Sequence, residues 1–177
     1  MKAKSIIIAA LLVGALQVSA QEALKIGWTQ AEYILSLMPE SKQIEADLKA
    51  YEKQLQNQLQ AKYSNYEALV KDYQDNAATY DELIRADKEQ EIATLQQSIQ
   101  KFSQDAEVSL GNKRNTLLGP VFEKIGKAIE DVAKENGYTH IFSGGSPGLD
   151  ILLYAREQDN VSDLVLKKLG ITPPITE

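Results

Sequence analysis

The residues able to do chemistry in this chain are few, and they do not form a working set. His140 is the only histidine, and there is no cysteine. It alternates with Tyr138 and Phe142, and no nucleophile or sulfur ligand stands near it, so a structural or surface role is expected. The stretch Gly144-Gly145-Ser146-Pro147-Gly148 is glycine-rich, but it lacks the Lys-Ser/Thr ending of a phosphate-binding loop and does not open a helix. It reads as a connection between strands. Asp87 and Glu91 share one helix face, yet among 25 acidic residues such pairs arise by chance. Carboxylate catalysis or metal binding needs groups converging from several elements. The expectation is a protein that is not an enzyme and needs no cofactor or metal.

What remains is contact chemistry. Five of the eight tyrosines, Tyr51, Tyr63, Tyr66, Tyr73 and Tyr80, fall within one polar, helical region. Tyrosine offers apolar area with a polar tip and suits adaptable contacts. Tyr51, Tyr66 and Tyr73 keep the phase of a helix seam. Tyr63 and Tyr80 fall off it and are the candidates for touching a partner.

The element that positions them runs from Ser41 to about Asn136. Ile44, Leu48, Tyr51 and Leu55 follow the 4-3-4 spacing of a coiled-coil seam. Leu59 comes four residues later, a stutter that locally unwinds a supercoil. Gln74–Asp81 then breaks the pattern, and Thr79 with Glu82 has the spacing of a capping box. The following seam carries Ile92, Leu95, Ile99, Phe102 and Ala106. Two such segments joined by a short polar link predict an antiparallel hairpin. From Ser41 to Gln74 it would reach about 50 Å, too far to be covered by the rest of the chain, so it must project.

After Leu110 the second helix changes character. Gly111, Gly119 and Pro120 weaken it, and the apolar stripe broadens to Leu118, Val121, Phe122, Ile125, Ile129 and Val132. A narrow seam suits a two-helix arm and a broad face suits a helix lying on a sheet. Gly111, Gly119 and Pro120 are therefore read as the join, or hinge, between an arm (41–111) and a small body (21–40 and 112–177). In that body Leu24–Thr29, Tyr138–Ser143 and Ile151–Ala155 read as strands. Gln30–Leu37 reads as a short helix, and a last helix is capped by Asn160 or Ser162 and closed by Gly170. The fold class is α+β and mainly α. Three strands in one copy leave open edges and a thin core, so a closed homo-oligomer is expected. Ile26, Trp28, Tyr138, Ile141, Ile151 and Leu153 would build it.

Lys2 and Lys4, the apolar run Ile6–Leu16 and the small residues Val18 and Ala20 form a secretory signal-peptide pattern over residues 1–20. The apolar run is too short for the roughly 20 residues that span a bilayer, so stable membrane insertion is not expected. Loss of Lys2 and Lys4 would leave 17 basic against 25 acidic residues. That balance disfavours nucleic acid and anionic lipid as partners.

LKIGWTQAEYILSLMPESK near the start, LLGPVFEKIGKAIEDVAKENGYTHIFSG in the middle and ILLYAREQDNVSDLVLKKLG at the end together resemble the Skp/OmpH family of periplasmic chaperones. The resemblance implies a periplasmic homotrimer whose strands build a shared body and whose hairpins hang as tentacles around a cavity. It implies ATP-independent holding of unfolded outer-membrane β-barrel proteins. Well-known members are basic, whereas Ser41–Leu110 carries 8 Lys and Arg against 13 Asp and Glu. A lipopolysaccharide site is therefore not carried over. The competing expectation is a cell-envelope adaptor coiled coil that binds one folded partner through the arm.

Overall fold

The computed structural model describes residues 24–145 and 152–174. In chain order these form β1 (Ile26–Thr29), α1 (Ala31–Leu37), α2 (Pro39–Asn76), α3 (Glu82–Asn136), β2 (His140–Ser143), a 3-10 turn (Glu157–Asp159) and α4 (Ser162–Lys168). The molecule is a mainly helical α+β protein, and α2 and α3 pack as an antiparallel hairpin.

Pro39 opens α2, where its missing N–H would have had no intrahelical partner. The helix then runs 38 residues without a break, through the Leu55–Leu59 step, and is therefore ~57 Å long. The capping box expected from Thr79 and Glu82 does not form. Thr79 donates its hydroxyl to the Asn76 carbonyl at 2.7 Å and closes the end of α2 instead. The cap of α3 is Asp81, whose carboxylate accepts the Ile84 N–H at 2.8 Å. An N-cap side chain reaches the third residue beyond it, which places Thr79 two positions too early.

The 55 residues of α3 continue through Gly111, Gly119 and Pro120. A Cβ at either glycine would meet nothing within 4 Å, so packing within this chain does not require glycine there. The helix stops at Gly137, which takes φ +69°, and the N–H groups of Gly137 and Tyr138 both return to the Ala133 carbonyl. This left-handed stop is what Asn136-Gly137 announces.

β1 and β2 pair in parallel, with Ile26 opposite His140 and Thr29 opposite Ser143. The whole hairpin lies between them in the chain. The expected strand at Ile151–Ala155 is not found: Ile151 is outside the described residues, and 152–156 carry no strand. The positions it would need beside β1 are taken. Asn160 bridges to Trp28, Val161 donates its N–H to the Trp28 carbonyl at 2.8 Å, and the Trp28 indole donates to the Arg156 carbonyl at 2.9 Å. The described sheet therefore has two strands rather than three, and the strand expected over Tyr138–Ser143 shortens to β2.

The core sits where α1, the last turns of α3 and α4 meet. Ile34, Met38, Ile125, Val132, Val161, Val165 and Leu166 are buried there, and Ile44 joins them from the root of α2. Asn160 accepts the Ser162 N–H at 3.0 Å and so serves the start of α4. Ser162 is instead buried against Thr29, hydroxyl to hydroxyl at 3.1 Å, and accepts the Gln30 N–H. This polar pair fastens the end of β1 to α4.

Glu40, in the first turn of α2, pairs with Lys124 of α3 at 2.6 Å. The hydrogen bond from Lys124 lowers the Glu40 pKa from its ordinary 4.5. A lowered carboxylate pKa contributes stability above the unfolded value, and that contribution disappears as pH falls through the folded value. For a partly exposed pair it amounts to about 0.5 kcal/mol. Glu40→Gln should therefore narrow the stability gap between pH 6 and low pH relative to the parent, as read by urea unfolding. An unchanged gap would show that the pair contributes nothing.

Candidate functional site: an open-sided arm beside an uncovered sheet face

The arm is built from the seam outward. Ile44 and Ile99 are buried, with Ile99 only 4% exposed, whereas Leu48, Tyr51, Leu55, Ile92, Leu95 and Phe102 are half-buried. Each helix has one neighbour, so each seam residue is covered from one side. Polar groups reinforce the closure at intervals. Tyr51 and Ser109 share a hydroxyl hydrogen bond at 2.6 Å, Lys62 donates to Ser98 at 3.1 Å, and Tyr73 donates to Glu89. The Lys62 ammonium also lies 5.5 Å above the Phe102 ring. The Tyr73 phenol is held protonated above its ordinary range, chiefly by the hydrogen bond to the Glu89 carboxylate.

The two off-phase tyrosines part company. Tyr63 presents its ring to solvent, 44% exposed. Tyr80 sits in the turn at the tip, half-buried, and donates to Asp72 at 3.1 Å. Sequence reading missed three other exposed apolar side chains on the arm: Leu83, Ile84 and Val108. Their signal was weak, since each is an apolar residue out of phase with the seam and none belongs to a repeating stripe.

At the root of the arm, Leu35, Ile44, Leu48, Leu110 and Leu118 line a groove of about 530 Å³, with Glu52 and Arg114 on its rim. A second hollow of about 410 Å³ opens on the sheet, between Leu24, Ile26, Trp28, Phe142, Leu152 and Tyr154. Leu24, Ile26, Phe142, Leu153 and Tyr154 are exposed around it. Of the residues expected to build an oligomeric body, Ile26 and Leu153 are thus exposed. Trp28, Tyr138 and Ile141 are half-buried, and Ile151 is outside the described residues. Tyr138 is covered by the Lys25 ammonium, 4.2 Å above its ring.

His140 is exposed and stacks on Phe142, with ring centroids 6.2 Å apart. Among the described residues no group of three or more His, Asp or Glu is arranged to hold a metal ion, and no helix is long and apolar enough to cross a membrane. The arrangement offers exposed apolar and polar surface for contact.

The seam makes a direct prediction. Replacing Ile99 and Phe102 together by Asp puts two charges into the hairpin closure, at a cost of several kcal/mol. Helical circular dichroism and the melting temperature should both fall. Unchanged values would show that these side chains do not pack.

The family model described as Outer membrane protein (OmpH-like) matches residues 25–169. No curated protein matches at the sequence level. Among solved structures, an OmpH-like protein of Caulobacter crescentus, proposed to be an outer membrane chaperone, superposes with a TM-score of 0.67. Its identity to this chain is 11%, and the match covers 89% of this chain and 92% of that one. So distant a likeness establishes the shared fold, and the family model spans most of the sequence: the chain belongs to the OmpH-like outer membrane protein family.

Proposed function

We propose that this protein is an ATP-independent holdase chaperone of the periplasm. Its clients are unfolded outer-membrane β-barrel proteins, received in a cavity between helical arms. The observation that carries this reading is the arm itself: a hairpin ~57 Å long, packed along one seam, with its other faces open. An unfolded barrel protein exposes alternating apolar residues and unpaired strand edges, which aggregate in water. Many weak contacts along a long surface shield such a chain without imposing structure on it.

The cavity requires several arms, and hence several copies. The uncovered apolar surface around Leu24, Ile26, Phe142, Leu153 and Tyr154 supports assembly through the body. The outer edge of β2, which pairs with no other described strand, supports it as well. Three copies are the expected number for a homotrimer of this family. Gly111, Gly119 and Pro120 are proposed as the segment through which each arm adjusts to client size, by bending of a weakened helix rather than by a break in it.

The purified mature protein should keep several unrelated denatured barrel proteins soluble after dilution from urea, at about one client per oligomer. Protection of none of them would favour an adaptor that binds one folded partner. Its mass in solution should correspond to three copies, and a monomeric mass would remove the cavity. Converting both Gly111 and Gly119 to Ala should stabilise α3 by about 0.5–1 kcal/mol at each position. If the segment flexes in use, the same variant should protect large clients less well than small ones. Equal protection of both sizes would exclude flexing there.

A further inference from the structure

The tip of the arm differs from its shaft in charge and in exposed apolar surface. In the shaft, residues 41–71 and 92–110, six basic side chains (Lys42, Lys49, Lys53, Lys62, Lys71 and Lys101) balance six acidic ones (Glu45, Asp47, Glu52, Glu67, Asp105 and Glu107). In the distal twenty residues, 72–91, seven acids stand against Arg85 and Lys88. The whole negative excess of the arm therefore lies at its far end. Leu83 is there too, 81% exposed, beside the exposed Ile84. Both occupy the first turn of α3, held in place by the Asp81 cap.

The carboxylates at the tip fall into two groups. Asp72 is engaged by Lys88 and Tyr80, Asp75 by Lys71, Asp81 by the Ile84 N–H, Glu89 by Tyr73 and Glu91 by Lys88. The carboxylates of Glu82 and Asp87 make no hydrogen bond or ion pair with any described residue, and both residues are exposed. Asp87 follows Leu83 by four residues and so shares its helix face, and Glu82 is next to Leu83 in the chain. The tip thus presents an apolar anchor flanked by two uncommitted negative charges. A lipid surface of anionic headgroups is repelled by such a face. A polypeptide that interleaves Lys or Arg with apolar side chains matches it on both counts.

We propose that the arm tip is a docking surface for basic, apolar polypeptide segments, with Leu83 and Ile84 as the apolar contacts and Glu82 and Asp87 as the charge contacts. This goes beyond holding a chain within a cavity, because a tip contact precedes enclosure. It also stands if the cavity reading fails.

The test uses the full mature protein and two fluorescent peptides of identical leucine and phenylalanine pattern, one interleaved with lysine and one with glutamate. The lysine peptide should bind more tightly by fluorescence anisotropy, and its affinity should fall as salt is raised. Leu83→Ser with Ile84→Ser should weaken it roughly tenfold, since two exposed side chains lose their burial in the complex. Glu82→Gln with Asp87→Asn should remove the preference for lysine over glutamate. These positions lie off the seam, and unchanged melting curves would confirm that the arm is intact. Equal binding of the two peptides would overturn the proposal, as would unchanged affinity in the Leu83 and Ile84 variant. Binding to anionic vesicles that these substitutions abolish would reassign the surface to membranes. Concentration-dependent self-association lost in the same variant would reassign it to a second copy of this chain. Protection of denatured barrel proteins is scored separately, so loss of peptide binding with protection retained separates the tip from the cavity.

Discussion

Two helices packed on each other cover one face each, and everything about the arm follows from that limit. A third neighbour would bury the seam fully; without one, Leu48, Leu55, Ile92 and Leu95 stay half in water. Apolar burial contributes about 25 cal/mol per Å², so a half-covered seam gives correspondingly less. The cross-helix bonds of Tyr51 to Ser109, Lys62 to Ser98 and Tyr73 to Glu89 occur where packing alone is thin. Near the body the situation reverses. There α3 meets α1 and α4, and Val121, Ile125, Ala128 and Val132 are buried. One helix therefore passes from a lightly held arm into a firmly held base without changing its backbone.

That passage explains what was legible in the sequence. The 4-3-4 spacing from Ile44 and the 3-4-3 spacing from Ile92 are direct imprints of a two-helix closure, and the hairpin was visible in them. The broad stripe after Leu118 announced a wider packed face, but that face lies on the helices α1 and α4 rather than on a sheet. Asn136-Gly137 marked the end of α3 because a left-handed residue is needed there. The two glycines and Pro120 also stood out, and the helix continues through all three. A long helix secured at its base tolerates a missing donor, and α3 remains helical on both sides of Pro120.

The body was harder to read because its decisive contacts are long-range. ILLYA has the composition of a strand, yet the edge of β1 that it would need is filled by Asn160, Val161 and the indole bond of Trp28. Composition reports what a segment prefers and is silent about whether the neighbouring edge is free. The same blindness hid Ser162, which looked like a cap and is instead buried against Thr29. On the arm, Leu83 was invisible for the opposite reason, since an apolar residue with no periodic companions carries no pattern to detect.

The parallel pairing of β1 with β2 has a consequence for how the molecule is born. Lys25 and Thr139, hydrogen-bonded at the start of this ladder, are 114 residues apart in the chain. Synthesis runs from the amino end, so β1 emerges early and waits for its mate until nearly the whole helical span has followed. Closing so long a loop through disordered chain is slow, whereas a hairpin of adjacent helices zips locally and fast. Once zipped, it returns the distant ends to one place. A local closure of this kind shortens the loop that the strands must otherwise close, so the arm serves as a jig for the two strangers in sequence that meet at its root.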